Sequence, residues 1–194
     1  MNFIQQLLYN FKPYYATEYQ IKKNIIAFLS GFPDCLYRYN QSGHLTVSAM
    51  IVNQAKTKVL LCYHTRYNEW SPVGGHSDGN PDLKVVIENE IYEELGITNN
   101  MLEINLTNGL ISIDQSTYHC RTETTIHYDM CFIVTLKKDT VDVKLNDEIK
   151  QIKWFDLSKT ITDQNNEHEK IPAYMIQYYQ SLQLYINRNN NLTR

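Results

Sequence analysis

The apolar and polar positions divide the chain into a helical start, a strand-rich middle with one helix set into it, and a helical end. Residues 1–30 carry two apolar patches at helical spacing: Phe3, Ile4, Leu7 and Leu8, then Ile21, Ile25, Ile26 and Leu29. "SGFPD" at 30–34 closes this part. "HLTVSAMIVN" (44–53) and "KVLLCYHT" (58–65) are rich in Val, Ile and Leu and predict strands, with "QAKT" as the turn between them. "LEINLTNGLISID" (102–114) and "IHYDMCFIVTL" (126–136) predict further strands, and "EIKQIKWFDL" (148–157) the last one. Apolar residues at 171, 174, 175, 178, 182 and 185 then predict a closing helix, whose tyrosines serve packing. The polar tail from 187 reads as frayed. Strands before and after a central helix, with a helix at the end, make a mixed α/β layered fold. The expected organisation is a helical extension over 1–39 packed on the main domain, a main domain over 40–188 that includes the C-terminal helix, and a flexible tail over 189–194.

The central helix carries the chemistry. "GGHSDGNPDLKVVIENEIYEELGI" runs from Gly74 to Ile97. Asn80 as N-cap, Pro81 at the first helical position and Gly96 as the stop predict a helix over Pro81–Leu95. At about 100° per residue, Leu83, Val86 and Ile87 share one face, and Glu90, Glu93 and Glu94 fall in the same arc. Lys84, Glu88 and Tyr92 point elsewhere. A solvated helix keeps its acids opposite its apolar stripe. Like charges three and four residues apart repel, and no Lys or Arg is interleaved here. Such a local conflict marks a functional site. A hard divalent cation resolves it, because oxygen ligands on one face can share the ion.

Charge and cysteine usage narrow the partners. A net charge of −3 argues against a broad footprint for duplex nucleic acid. The four cysteines, Cys35, Cys62, Cys120 and Cys131, have no C-x-x-C spacing, and Cys62 with His64 makes only a weak zinc signal, so reduced buried thiols are expected. No leader pattern and no membrane-length apolar run is visible, so the expected location is the cytoplasm with no membrane partner. The first helical segment lacks the basic polar face of a membrane anchor. The N-x-T triplets at Asn105 and Asn191 are then chance matches.

The Gly74–Ile97 segment resembles the box of the Nudix family, G-x5-E-x7-R-E-U-x-E-E-x-G-U with U aliphatic. Gly75 matches the opening glycine, and Glu90, Ile91, Glu93, Glu94, Gly96 and Ile97 match the second half in register without a gap. The resemblance covers roughly residues 40–160 and leaves the two helical ends outside it. Pro81 stands where the family has its first Glu, and Asn89 where it has Arg. Both members of that charge pair are gone together, so neither leaves an unpaired charge.

The resemblance implies an α/β/α sandwich with a mixed sheet, and hydrolysis of a nucleoside diphosphate linked to another group with Mg²⁺, or Mn²⁺ as substitute. By resemblance Glu93 and Glu94 are metal ligands, Glu90 is a ligand or the general base, and the backbone at Gly74 or Gly75 adds a ligand. Glu148, in "NDEIKQIKWF", is the candidate acid from a later strand, against a surface role. Candidate substrate contacts are Arg38, Arg66, His76 and His127. His127 and Asp129 alternate on a strand and share a face; they line the pocket or form a core hydrogen-bonded pair. Trp70 is expected to pack beneath the glycine loop. Ser112 and Asp114 stand where some members carry a substrate-marking proline or tyrosine, so neither mark is present, and the cysteine pattern of the isomerase branch is missing. The partner implied is a small nucleotide-type molecule, and the resemblance admits a homodimer. The alternative reading is a Nudix-fold binding or regulatory module without turnover.

Overall fold

The computed structural model describes residues 2–120, 123–138, 140–166 and 168–192. The predicted helical start divides into α1 (Phe3–Asn10) and α2 (Ala16–Gly31). Then follow β1 (His44–Val52), β2 (Lys58–His64), β3 (Glu69–Ser71), β4 (Val73–His76), α3 (Leu83–Leu95), β5 (Leu102–Ile104), α4 (Leu106–Gly109), β6 (Leu110–Cys120), β7 (Glu123–Leu136), β8 (Ile149–Asp156) and α5 (Ala173–Leu192). The stretch expected as one strand over 102–114 is interrupted. Asn105 accepts a hydrogen bond from the Asn108 N–H and caps the short turn α4 between β5 and β6. Helix α5 continues through Leu192, past the point where the polar tail was expected to fray.

Among the described residues one eight-stranded mixed sheet forms, in the order β3-β2-β1-β7-β5, with β4 on β1, β6 on β7 and β8 on β2. The β1–β7 pair is parallel and the other pairings are antiparallel. Strand β1 is central and buried on both faces, which explains its near-continuous apolar run. Leu45, Val47, Ala49 and Ile51 join a core with Leu8, Ile25 and Phe28 and with Leu83, Ile87 and Ile91 of α3. Met50 and Val52 face the other way, into a second core with Met175, Tyr178, Tyr179 and Leu182 of α5. The alternation of the strands thus separates two helical layers, an α/β/α sandwich.

The N-terminal extension is fastened by one buried acid. Glu18 is fully buried and accepts from the N–H groups of Tyr14 and Tyr15 (2.7 and 3.2 Å), closing the start of α2. Its other oxygen accepts from Ser112 Oγ at 2.5 Å and the Ile113 N–H at 3.4 Å on β6. Helix α2 packs along β6 and covers that edge of the sheet. Ser112, which stands where some family members carry a substrate mark, is committed to Glu18.

Helix α3 begins after Asp82 rather than at Pro81. Asn80 Oδ1 closes back on the Asp82 N–H at 3.0 Å, a local turn that holds Pro81 outside the helix. Asp82 then takes the cap, accepting from the N–H groups of Lys84 and Val85. Gly96 ends the helix at φ 69, a left-handed conformation that glycine adopts without strain.

Candidate active site

Where β4 meets α3, two glycines let backbone and carboxylates approach closely. Gly74 and Gly75 pair with Ser48 and Val47 of β1. A Cβ on Gly74 would run into the Val47 carbonyl, and a Cβ on Gly75 would overlap the Glu90 carboxyl group. The Gly74 N–H donates to Glu94 Oε1 at 3.3 Å. Glu94 is buried, Glu90 half-buried and Glu93 exposed, so the three acids descend from solvent into the floor of a cleft. Glu94 Oε2 lies 3.8 Å from His64 Nε2 and takes no hydrogen bond from any described residue.

Burial dominates the proton affinities here. Loss of solvent, reinforced by Glu93, pushes Glu90 up to about 7. Burial also lifts Glu94 to about 8, against the opposing pull of the Gly74 N–H. Carboxyl groups in this state hold protons near neutral pH, and a cation that displaces those protons gains three oxygen donors on one helix face.

The cleft, about 530 Å³, is lined by all three acids and by Gly74 and Gly75. Glu148 enters it from the turn just before β8, and Arg38, Arg66, His76, His127, Asp114 and Asp129 complete much of the wall. The fold thus brings the candidate metal-binding and substrate-contacting residues to one cavity, while Ser112 and Trp70 lie outside it. Arg38 is already engaged: its guanidinium forks onto Asp78, with Nε to Oδ1 at 2.6 Å and a second contact from its terminal nitrogen to Oδ2. Asp78 holds a positive φ of 46 in the loop between β4 and α3. Asp129 is half-buried, accepting from Thr46 Oγ1 and from the Tyr178 hydroxyl, each at 2.7 Å. Both Asp129 and His127 line the cleft. Trp70 is anchored away from the glycines, its Nε1–H donating to Asn165 Oδ1 at 2.9 Å and Glu169 Oε2 at 3.0 Å, with Phe155 edge-on to its ring.

Two contributors escape sequence reasoning. Tyr178 reads as a packing residue of α5, and its ring does pack, but its hydroxyl reaches the cleft acid. His44 carries no motif; only strand register brings it beside His127 and His76. These three histidines form a cluster able to coordinate a divalent metal ion. Burial lowers all three, His76 to about 4 and His127 to about 3, so they are neutral at physiological pH. Cys62, by contrast, is buried in the core as a free thiol, as are Cys35 and Cys131.

A family model for the Nudix domain matches residues 43–178, spanning both the acidic helix and the sheet that carries it. The chain belongs to the Nudix family. That membership is consistent with hydrolysis of phosphoanhydride bonds. No curated protein sequence matches the chain. Among solved structures, this Nudix chain is similar to an Ap4A hydrolase of C. elegans in a binary complex, with TM-score 0.54 and 20% identity over 74% of this chain and 97% of that one. It is also similar to a Nudix-family hydrolase from Clostridium perfringens (TM-score 0.52, 20% identity, 75% and 98% covered). A third is the dihydroneopterin triphosphate pyrophosphohydrolase of E. coli (TM-score 0.53, 14% identity, 74% and 95% covered). At these identities the likeness is one of fold. No helix among the described residues of the Nudix chain is long and apolar enough to cross a membrane.

Proposed function

We propose that this chain is a divalent-metal-dependent pyrophosphohydrolase that cleaves a phosphoanhydride bond in a nucleoside diphosphate linked to another group. The observation that carries this reading is the buried Glu94 carboxyl oxygen without a hydrogen-bond partner among the described residues, at the base of a three-acid face packed onto two glycines. Hard oxygen donors in this arrangement fit Mg²⁺, with Mn²⁺ as substitute.

In this reading Glu93 and Glu94 would hold the ion, with the Gly75 backbone and Glu148 lining the same cleft. A bound divalent ion offsets the charge of the pyrophosphate and makes a water easier to deprotonate. Glu90, whose carboxyl burial pushes up to about 7 before any ion binds, would accept that proton as general base. Gly75 keeps the space Glu90 needs. Arg66, exposed at the rim, attracts the phosphate chain, while Arg38 spends its fork on Asp78 and contributes charge and loop order. His76 and His127, neutral in the wall, add polar ring edges to the cleft.

Pro81 and Asn89 favour a second reading, a cleft that binds nucleotide without turnover. Both side chains are exposed, and Pro81 lies outside the helix, so their substitution leaves the acid face intact. This weighs toward hydrolysis. The fold does not choose the substrate, since the similar structures are named for Ap4A and dihydroneopterin triphosphate.

The test is release of phosphate-containing products with and without Mg²⁺ across nucleoside triphosphates, ADP-ribose, dinucleoside polyphosphates, NADH, coenzyme A and nucleotide sugars. Metal-dependent release from one class supports the hydrolase and names the substrate. Silence throughout, in folded protein that binds nucleotide, supports the binding module instead.

A further inference from the structure

His44, His76 and His127 come from three neighbouring strands, and sheet register gathers them. His44 lies opposite His127 across the parallel β1–β7 pair. His76 lies opposite Thr46, two residues along β1 and so on the same face as His44. The ring centroids are 4.7, 4.8 and 5.1 Å apart. One nitrogen from each ring lies within 4.8 Å of the others. An ion bound at about 2.0–2.1 Å in tetrahedral geometry sets its nitrogens roughly 3.4 Å apart. Binding of an ion therefore requires the three rings to draw together from their present spacing.

A second observation points to a ligand. His44 is only 3% exposed, and neither of its ring nitrogens has a hydrogen-bond partner among the described residues. Tilted and edge-on contacts between the histidine rings account for their packing but give the His44 nitrogens no hydrogen-bond partner of ordinary geometry among the described residues. The backbone carbonyl of Asn40 lies near the His44 ring without a hydrogen bond of ordinary geometry. It stands where a metal-bound imidazole takes an acceptor for its other N–H. The neighbouring cation, Arg38, is paired with both carboxylate oxygens of Asp78, which limits its opposition to a bound ion.

We propose that His44, His76 and His127 form a binding site for a borderline transition-metal ion of the zinc type, separate from the carboxylates of α3. Imidazole nitrogens suit zinc, nickel and copper, whereas the acid face suits magnesium. His76 and His127 line the cleft, with His44 behind them. Three protein ligands leave a fourth position open. That position faces the cleft and takes an oxygen of water or of an anionic ligand.

The site rests on donor geometry and stands or falls independently of the hydrolase reading. Its test is titration of the chelator-stripped full chain with Co²⁺ as an optical probe and with Zn²⁺ in competition. The wild type is compared with His76→Ala, His127→Ala and the double variant Glu93→Gln/Glu94→Gln, each checked for folding by circular dichroism. The two histidines are partly exposed, so their replacement spares the core. The expected result is a single Zn²⁺ equivalent in the wild type, visible Co²⁺ bands of low coordination number, and at least about a tenfold weaker affinity in each histidine variant, since even outer partners of a bound imidazole cost that much. Binding in the carboxylate variant stays unchanged. Equal affinity in the histidine variants, loss in the carboxylate variant, or no Zn²⁺ bound by the wild type overturns the proposal.

Discussion

The carboxyl group of Glu90 occupies the space that a Cβ on Gly75 would need. A strand residue and a helix residue fifteen positions apart therefore share one volume, and the opening glycine of the box acts by leaving it empty. Gly75 has no positive φ, so the requirement is steric.

Replacing Gly75 by alanine should then displace Glu90 without unfolding the chain. A shift of about 1 Å in a group acting on the reacting atoms costs roughly a hundredfold in rate. Gly75→Ala is expected to lower kcat by that order, with the circular dichroism spectrum kept. Turnover within about twofold of wild type would separate Glu90 from the chemistry.

The raised acids and lowered histidines set a pH profile for the metal-free protein. Glu90 at about 7 and Glu94 at about 8 lie above the ordinary 4.5, so the folded state holds protons that the unfolded chain releases. Their contribution to stability falls as pH rises through this range. His76 at about 4 and His127 at about 3 lie below the ordinary 6.5, so their contribution falls as pH drops below 6.5 and opposes that of the acids there. Between pH 6.5 and 8 the acids act alone among these four. The melting temperature in chelator is expected to fall over that interval, and saturating Mg²⁺ to restore more at pH 8 than at pH 6.5. Scanning calorimetry checks both signs, and a metal-free melting temperature that rises from 6.5 to 8 would contradict them.

Glu18 ties the N-terminal helices to β6. Glu18→Ala leaves the Ser112 hydroxyl and the Tyr14, Tyr15 and Ile113 N–H groups short of their acceptor. The expected loss is about 2–4 kcal/mol. In a chain of this length that is a fall of roughly 4–16 °C in melting temperature. Unchanged melting would show the extension to be held by its apolar contacts alone.

The part of this site that is local in sequence was legible there. Glycine at 96, the apolar positions of α3 and the acids at 90, 93 and 94 fix a face by helical spacing alone, and the family box falls on the same residues. Contacts set by strand register were not. His44 reaches His127 through a parallel pairing that joins residues more than eighty positions apart, which no local period reveals. Glu18 looks like a first-turn surface acid and becomes a buried clasp only when β6 arrives. The break at α4 was hidden because Leu106 and Leu110 continue the apolar run, while Asn105 supplies the cap that ends it. Asn80 and Asp82 are both good caps, and only the turn through Pro81 decides between them.

The account rests on the acid face of α3, and one comparison tests it most directly. Glu94 lines the cleft, whereas Glu88, six residues earlier on the same helix, faces Lys84 at 3.8 Å and lies outside it. Hydrolysis of the substrate identified by the panel is measured against Mg²⁺ concentration for wild type, Glu94→Gln and Glu88→Gln. Glu94→Gln is expected to lose about a hundredfold or more in kcat/KM and to need more Mg²⁺, with Glu88→Gln close to wild type. Equal losses in the two variants, or turnover that persists in chelator, would contradict a metal-binding carboxylate face.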